Sequence, residues 1–325
     1  MLKAFYGSKE WFIWAWGGAI LLGLSLWFQV WLTVQINNWY GEFYNIMQKP
    51  ADHTVVEFWE KIWMFFYIAM PYVFTAAVTN WFTRMYGFAW REALTFNYLP
   101  RWKNVKVEIE GASQRIQEDT YKFAKIVESL GLSAVRAIMT LIAFLPMLWG
   151  MSIKHHILIP TTDIYIEGSL VYLALFVSLG GIFISWFVGW FLPGLEYNNQ
   201  VKEAAYRKEL VFIEDDKSRY QDETMFSLFT GVKFNYRKLF NHYSYFDIWM
   251  NWYDQAMVLV PYMIMGPAVM SSTIMLGVLV QVSNAFQKVH GSFALVLHRW
   301  VDITELRSIW KRLHEFENNL KNHER

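Results

Sequence analysis

LPGLEYNNQVKEAAYRKELVFIEDD, residues Leu192–Asp216, starts at the foot of an uncharged run and ends in three consecutive acids. Pro193-Gly194 reads as a break. After it Glu, Lys, Arg, Ala and Leu predominate, the residues that favour helix. On a helix, Glu203 stands about two turns beyond Glu196 and Glu214 about five turns beyond it. Those three acids therefore share a face, and Glu209 points away from it. The ordinary reading is a solvated helix with Glu203 paired to Arg207 one turn on. The setting favours a second reading: this helix continues an apolar span, and a file of acids there can carry protons.

The rest of the 325 residues shows why a membrane is the setting. The chain is 55% hydrophobic and carries 18 Trp, 18 Tyr and 26 Phe, an aromatic load beyond that of a soluble domain. No charged residue interrupts Trp11–Gly41, Ile62–Thr83, Ala137–Ile153, Gly168–Leu195 or Gln255–Gln287. About 20 apolar residues cross a bilayer core. The last run is long enough for one span to end and another to begin, and it contains Pro261 and Gly266-Pro267. The expectation is an all-α integral membrane protein, one domain over 1–325, with six long helices at about 10–48, 55–98, 112–152, 166–218, 222–265 and 270–318.

Lys and Arg concentrate between helices 2 and 3, between helices 4 and 5, and in the tail, while the opposite side has little beyond Lys49, Lys61 and Lys154. That asymmetry places both termini and the two long loops in the cytoplasm. The formal net charge of +1 gives no case for nucleic acid. With no Cys, disulfides and thiolate metal sites are excluded. No cleavable signal is read at the start, because the first apolar run is too long for one.

Other residues stand out in chain order. Asn37, Asn38, Trp39 and Tyr40 read as an interfacial belt or as a substrate surface, and Arg84 as a side chain snorkelling to the inner interface. Glu110, Glu118, Asp119 and Glu128 precede Arg136. Glu110 and Glu128 share a face unless Gly111 breaks the helix. The pair His155-His156 reads as plain loop. Asp247 and Asp254 are seven apart, nearly on one face. Asp254 is the acid expected at membrane depth, facing a cavity or a partner. Gly-Lys occurs nowhere, so no phosphate-binding P-loop can be built, and the common hydrolase, metalloprotease and dinucleotide motifs are absent. The expectations are no enzyme, no metal, no ATP binding, and transport driven by an ion gradient or a separate ATPase subunit, with a non-transporting membrane receptor or scaffold as the alternative outside transport.

The segments EGASQRIQEDTYKFA, AIMTLIAFLP, LPGLEYNNQVKEAAYRKELVFIEDD, NNWYGEFYNIMQ and WVDITELRSIWKRLHEFE resemble those of the SbmA/BacA family of bacterial inner-membrane peptide transporters. The resemblance covers essentially the whole chain. Many members have a longer amino-terminal region than this sequence shows. It implies a homodimer built like the membrane part of ABC exporters without the nucleotide-binding domain. It further implies proton-driven import of peptides and peptide-like antibiotics, with no cofactor beyond the proton gradient. By resemblance the coupling acids are Glu128, Glu203 and Glu214, supported by Glu110, Glu118, Glu196 and Glu209. Arg136, Asp247 and Asp254 remain as cavity or buried-charge candidates.

Overall fold

The computed structural model describes residues 1–106, 109, 111–154 and 166–323; Glu110, His155 and His156 lie outside them. Every element among the described residues is a helix or helical turn. They are α1 (Leu2–Tyr6), α2 (Gly18–Gln48, entered by a wider π turn at Ile13–Gly17), α3 (Val55–Lys103), α4 (Ala112–Gln114, continuing through a π turn at Arg115–Asp119), α5 (Thr120–Lys154), α6 (Ser169–Val188), α7 (Leu192–Asp215), α8 (Asp222–Met270), α9 (Leu276–His298) and α10 (Trp300–His323), with 3-10 turns at Pro50–Asp52 and Lys217–Arg219.

Local chemistry sets the ends. Thr54 caps α3, its hydroxyl accepting from the Glu57 amide at 3.3 Å. Gly111 adopts a left-handed φ of 70° immediately before α4, so the helix begins at Ala112; the face expected to be shared by Glu110 and Glu128 involves a residue outside the described ones. Pro193 does not break its helix. The chain turns at Gly189–Phe191, and Pro193 lies in the first turn of α7, where its missing N–H leaves nothing unpaired.

A second expected break also moves. α8 passes through Pro261 and Pro267 and stops at Met270. The stop is made by Ser272 in the left-handed region at φ 59°. The Thr273 amide donates to the Ala268 carbonyl at 2.9 Å and the Ser272 amide to that of Val269 at 2.9 Å. This is the paired-amide ending usually built on glycine.

Four stretches are long and apolar enough to cross a membrane: Ile13–Gln48, Val55–Lys103, Ala112–Lys154 and Ser169–Asp215. The last uncharged run is divided by the turn after Met270 into two shorter pieces, Gln255–Met270 on α8 and Leu276–Gln287 on α9. Large apolar side chains stand exposed along these helices, Ile13, Tyr67, Phe74 and Phe176 among them. Such surface is what a bilayer covers.

The chain divides into two compact units, Met1–Leu175 with Pro261–Arg325, and Phe176–Val260. In the first, α1, α3, α5 and α10 close an aromatic core. Phe5 stacks on Trp90 at 5.3 Å, Trp90 meets Phe123 edge-on at 5.6 Å, and Tyr98 meets Phe316 at 5.4 Å. α10 contributes Ile309, Leu313, Phe316 and Leu320, an apolar stripe at helical spacing. At its edge the buried Asp119 receives Arg312 as a two-pronged fork, Nη2 to Oδ1 at 2.7 Å and Nε to Oδ2 at 3.0 Å, with Arg115 at 2.9 Å.

Also in the first unit, α2 and α9 approach closely. The first amides of α9 donate to side chains of α2, Leu276 to Gln48 Oε1 at 2.7 Å and Gly277 to Asn45 Oδ1 at 3.0 Å. Asn37 donates to the Gln281 carbonyl at 3.1 Å, and the Gln281 amide to Asn38 at 2.7 Å. Trp39 is 6% exposed, stacks on Phe43 at 4.7 Å and donates to the Lys61 carbonyl at 2.7 Å. Asn37, Asn38 and Trp39 of this polar–aromatic stretch are thus engaged in interhelical packing.

In the second unit, Tyr253 of α8 occupies the space left by Gly181 of α6. A β-carbon at Gly181 would lie 1.9 Å from the Tyr253 ring. Tyr253 donates to the Val177 carbonyl at 3.0 Å, and Trp249 Nε1 to Ser185 Oγ at 2.9 Å.

Candidate functional site

Three helices of the first unit line a common space with residues at spacings of three and four, most of them polar. They are Asn80, Thr83 and Arg84 on α3; Glu128, Arg136 and Thr140, with Leu132 among them, on α5; and Lys288, Ser292 and Arg299, with Leu295 among them, on α9, ending at the residue beyond its last turn. On a helix each set forms one stripe. The stripes face one another around a cavity of about 630 Å³.

Its charge is one-sided: Arg84, Arg136, Lys288 and Arg299 line it, with Glu128 the single acid among its described lining residues. Arg299 is drawn to Asp302, which is not part of the wall, at 2.9 Å. Arg136 is oriented by a relay from two other helices. Its Nη2 donates to Gln29 Oε1 at 3.1 Å, and Gln29 Nε2 donates to Thr79 Oγ1 at 2.7 Å. Thr79 in turn contacts Ser25 at 2.5 Å. Gln29 and Thr79 are both buried, so the guanidinium is aimed by a fixed frame.

Wall hydroxyls give their protons to their own helices. Thr83 donates to the Thr79 carbonyl at 2.7 Å, Thr140 to Arg136 at 2.8 Å and Ser292 to Lys288 at 2.8 Å. Their remaining lone pairs accept.

Glu128 lies against the α3 backbone at Gly87. The charges acting on it are those of Arg84 and Lys125. It makes no hydrogen bond or ion pair among the described residues. The carboxylate thus stands half-buried on the cavity wall without a fixed partner among the described residues.

Glu128 and Arg136 are thus brought together, and Arg84 faces the same cavity, although it reads in the sequence as a snorkelling residue. The other named acids are placed elsewhere. Glu118 is half-buried and paired with Lys122 at 2.7 Å, with Gln114 donating at 3.1 Å. Glu196, Glu203 and Glu209 on α7 are half-buried and Glu214 is exposed; all four lie in the second unit. The Glu203–Arg207 pair is not formed, and Glu203 has no ion pair among the described residues. Asp254 is half-buried and Asp247 exposed, also in the second unit. The sequence reading gives Arg84, Lys288 and Arg299 no role in a site and passes over Gln29 and Gly87. The signal for them is the recurrence of polar residues at helical spacing on three separate apolar helices.

Known proteins are similar to this chain in sequence. YddA of Escherichia coli (strain K12), an inner membrane ABC transporter ATP-binding protein, is 27% identical over 319 residues, 92% of this chain and 55% of the relative. An uncharacterized ABC transporter ATP-binding protein of Haemophilus influenzae is 23% identical over 226 residues, 66% of the chain and 36% of the relative. ABC transporter D family member 2, chloroplastic, of Arabidopsis thaliana is 26% identical over 249 residues, 72% and 33% respectively. The chain spans about half the length of the curated relatives it matches, or less. Residues 8–321 match the SbmA/BacA-like family, and with nearly the whole sequence inside that match the chain belongs to the family.

Proposed function

We propose that this chain imports peptides and peptide-like antibiotics across the bacterial inner membrane, driven by protons and working by alternating access. The observation that carries the proposal is Glu128, an acid without a partner among the described residues, on the wall of a polar cavity between apolar helices. Protonation removes a charge from that wall. If the inward- and outward-open states hold Glu128 in different surroundings, the proton shifts their populations. Glu203 and Glu214, with Glu196, extend the set of acids along α7.

Six spans, both termini cytoplasmic, and a homodimer complete the reading. A dimer is supported by the polar surface along the helices, which one chain does not cover alone. In this reading no chemical conversion takes place, and neither ATP nor a metal is bound by the chain.

A second reading is favoured by the relatives' names and lengths: a membrane unit powered by an ATPase. One experiment separates the two. Purified protein in liposomes is given a labelled proline-rich peptide, with an imposed pH gradient and no ATP. Accumulation that collapses with an uncoupler supports proton drive. Accumulation only when ATP and an ATPase are supplied overturns it.

A further inference from the structure

We propose that the cavity between α3, α5 and α9 is an oxyanion site, built to take a carboxylate or phosphate group of the molecule that enters it; the transport reading supplies only the identity of that molecule. Three features support it. First, the wall is positive: with Arg299 engaged by Asp302, there remain Arg84, Arg136 and Lys288 against the single carboxylate of Glu128. Arg84 and Lys288 are exposed and Arg136 is half-buried, so three cations converge on one open cavity, and like charges gathered this way repel one another until an anion sits between them.

Second, the relay of Gln29 and Thr79 holds Arg136 in one orientation without neutralising it, because Gln29 offers a neutral oxygen. A guanidinium held open in this way presents its remaining N–H groups as a fork, the geometry that suits carboxylate and phosphate. Third, there is room beside Lys288: a β-carbon on Gly291 would meet nothing within 4 Å.

The test uses the full chain in phosphatidylcholine nanodiscs, without any gradient. The probes are a dye-labelled triproline with a free carboxylate, the same peptide as its amide, and inorganic phosphate as competitor. The acid should bind at least about tenfold more tightly than the amide, the scale of one charge-assisted hydrogen bond, and phosphate should displace it. Arg136→Gln and Lys288→Gln should each weaken the acid about tenfold, with Lys311→Gln, on exposed α10 surface, as the unchanged control.

Repeating the titration in nanodiscs containing phosphatidylglycerol identifies the source. Loss of acid binding there assigns the site to a lipid headgroup and keeps the oxyanion chemistry. Equal or undetectable binding of acid and amide by the unmutated protein overturns the proposal, and so does acid binding that both substitutions leave intact. Acid-selective binding without gradient-driven uptake keeps the site and loses the transport reading; uptake without acid selectivity does the reverse.

Discussion

A β-carbon on Gly87 would stand 2.5 Å from Oε2 of Glu128 and 3.2 Å from its Cβ. The bare backbone of α3 at that point is the seat of the Glu128 side chain. Gly87→Ala sets two effects of similar size against each other. A helix gains about 1 kcal/mol from Ala over Gly, and crowding a packed site costs about 1–3 kcal/mol. The melting temperature should therefore move little, while the carboxylate, a flexible end, is displaced. Gradient-driven uptake at equal expression should fall about tenfold or more. Wild-type uptake would show that the seating of Glu128 is immaterial.

Gly277 offers no such relief. A β-carbon there would lie 1.9 Å from the Gly41 carbonyl oxygen, a backbone atom that cannot swing away. Gly277→Ala should destabilise the protein by about 3 kcal/mol, the upper end of overpacking costs. Asn45→Ala, which removes the acceptor for the Gly277 amide, should cost about 1–2 kcal/mol. Gly23→Ala is the control, since a β-carbon there meets nothing within 4 Å. Thermal unfolding of the detergent-solubilised protein measures all three. A Gly277→Ala melt equal to that of Gly23→Ala would refute the close α2–α9 approach.

What could be read beforehand followed from one-dimensional signals. Uncharged runs such as Ile62–Thr83 report a membrane helix directly, because lipid leaves the backbone no other partner. Prolines were misleading for the same reason that they are tolerated: α8 continues through Pro261 and Pro267, and the real stop is Ser272 in a left-handed conformation that no Gly announced. The cavity was harder to read. Arg84, Glu128 and Lys288 are far apart in sequence, and each alone looks like a charge near an interface. Only the packing of α3 against α5 and of α5 against α9 makes them neighbours of one cavity. Trp39 is hard to place from sequence because an aromatic beside polar residues looks the same whether it faces headgroups or, as here, packs on a neighbouring helix.

Arg312 ties α10 to the start of the α4–α5 helix through Asp119, which is 1% exposed. Arg312→Gln removes a two-pronged bond to a buried carboxylate and leaves only Arg115 beside it. The expected loss is about 2–3 kcal/mol, the range for hydrogen bonds to charged groups. The hydrogen bonds to Asp119 hold Arg312 above its already high usual pKa. A raised folded-state value gives stability that is complete below the unfolded pKa and is lost only as pH rises through the folded one. The difference in melting temperature between wild type and Arg312→Gln should therefore not shrink on going from neutral to mildly alkaline buffer. A difference that vanishes there would assign the stability to another group.

Glu128→Gln and Glu203→Gln test the acids themselves. Gln keeps size and hydrogen bonding but cannot change charge, so each variant removes only the proton step. Glu128 lines the cavity without a hydrogen-bond or ion-pair partner among the described residues, and its replacement should abolish accumulation under a pH gradient. Exchange of labelled for unlabelled peptide across the same liposomes should persist, because exchange needs the states to interconvert but no net proton movement. Glu203 shares a face of α7 with Glu196 and Glu214 and lacks the Arg207 pairing that would make it an ordinary surface residue. Its variant should show the same split between accumulation and exchange. A surface acid would leave both intact, since exposed pairs contribute only about 0.3–0.5 kcal/mol even when formed. Wild-type accumulation by Glu203→Gln would confine coupling to the Glu128 cavity; wild-type accumulation by Glu128→Gln would remove the observation on which the proton-driven mechanism stands.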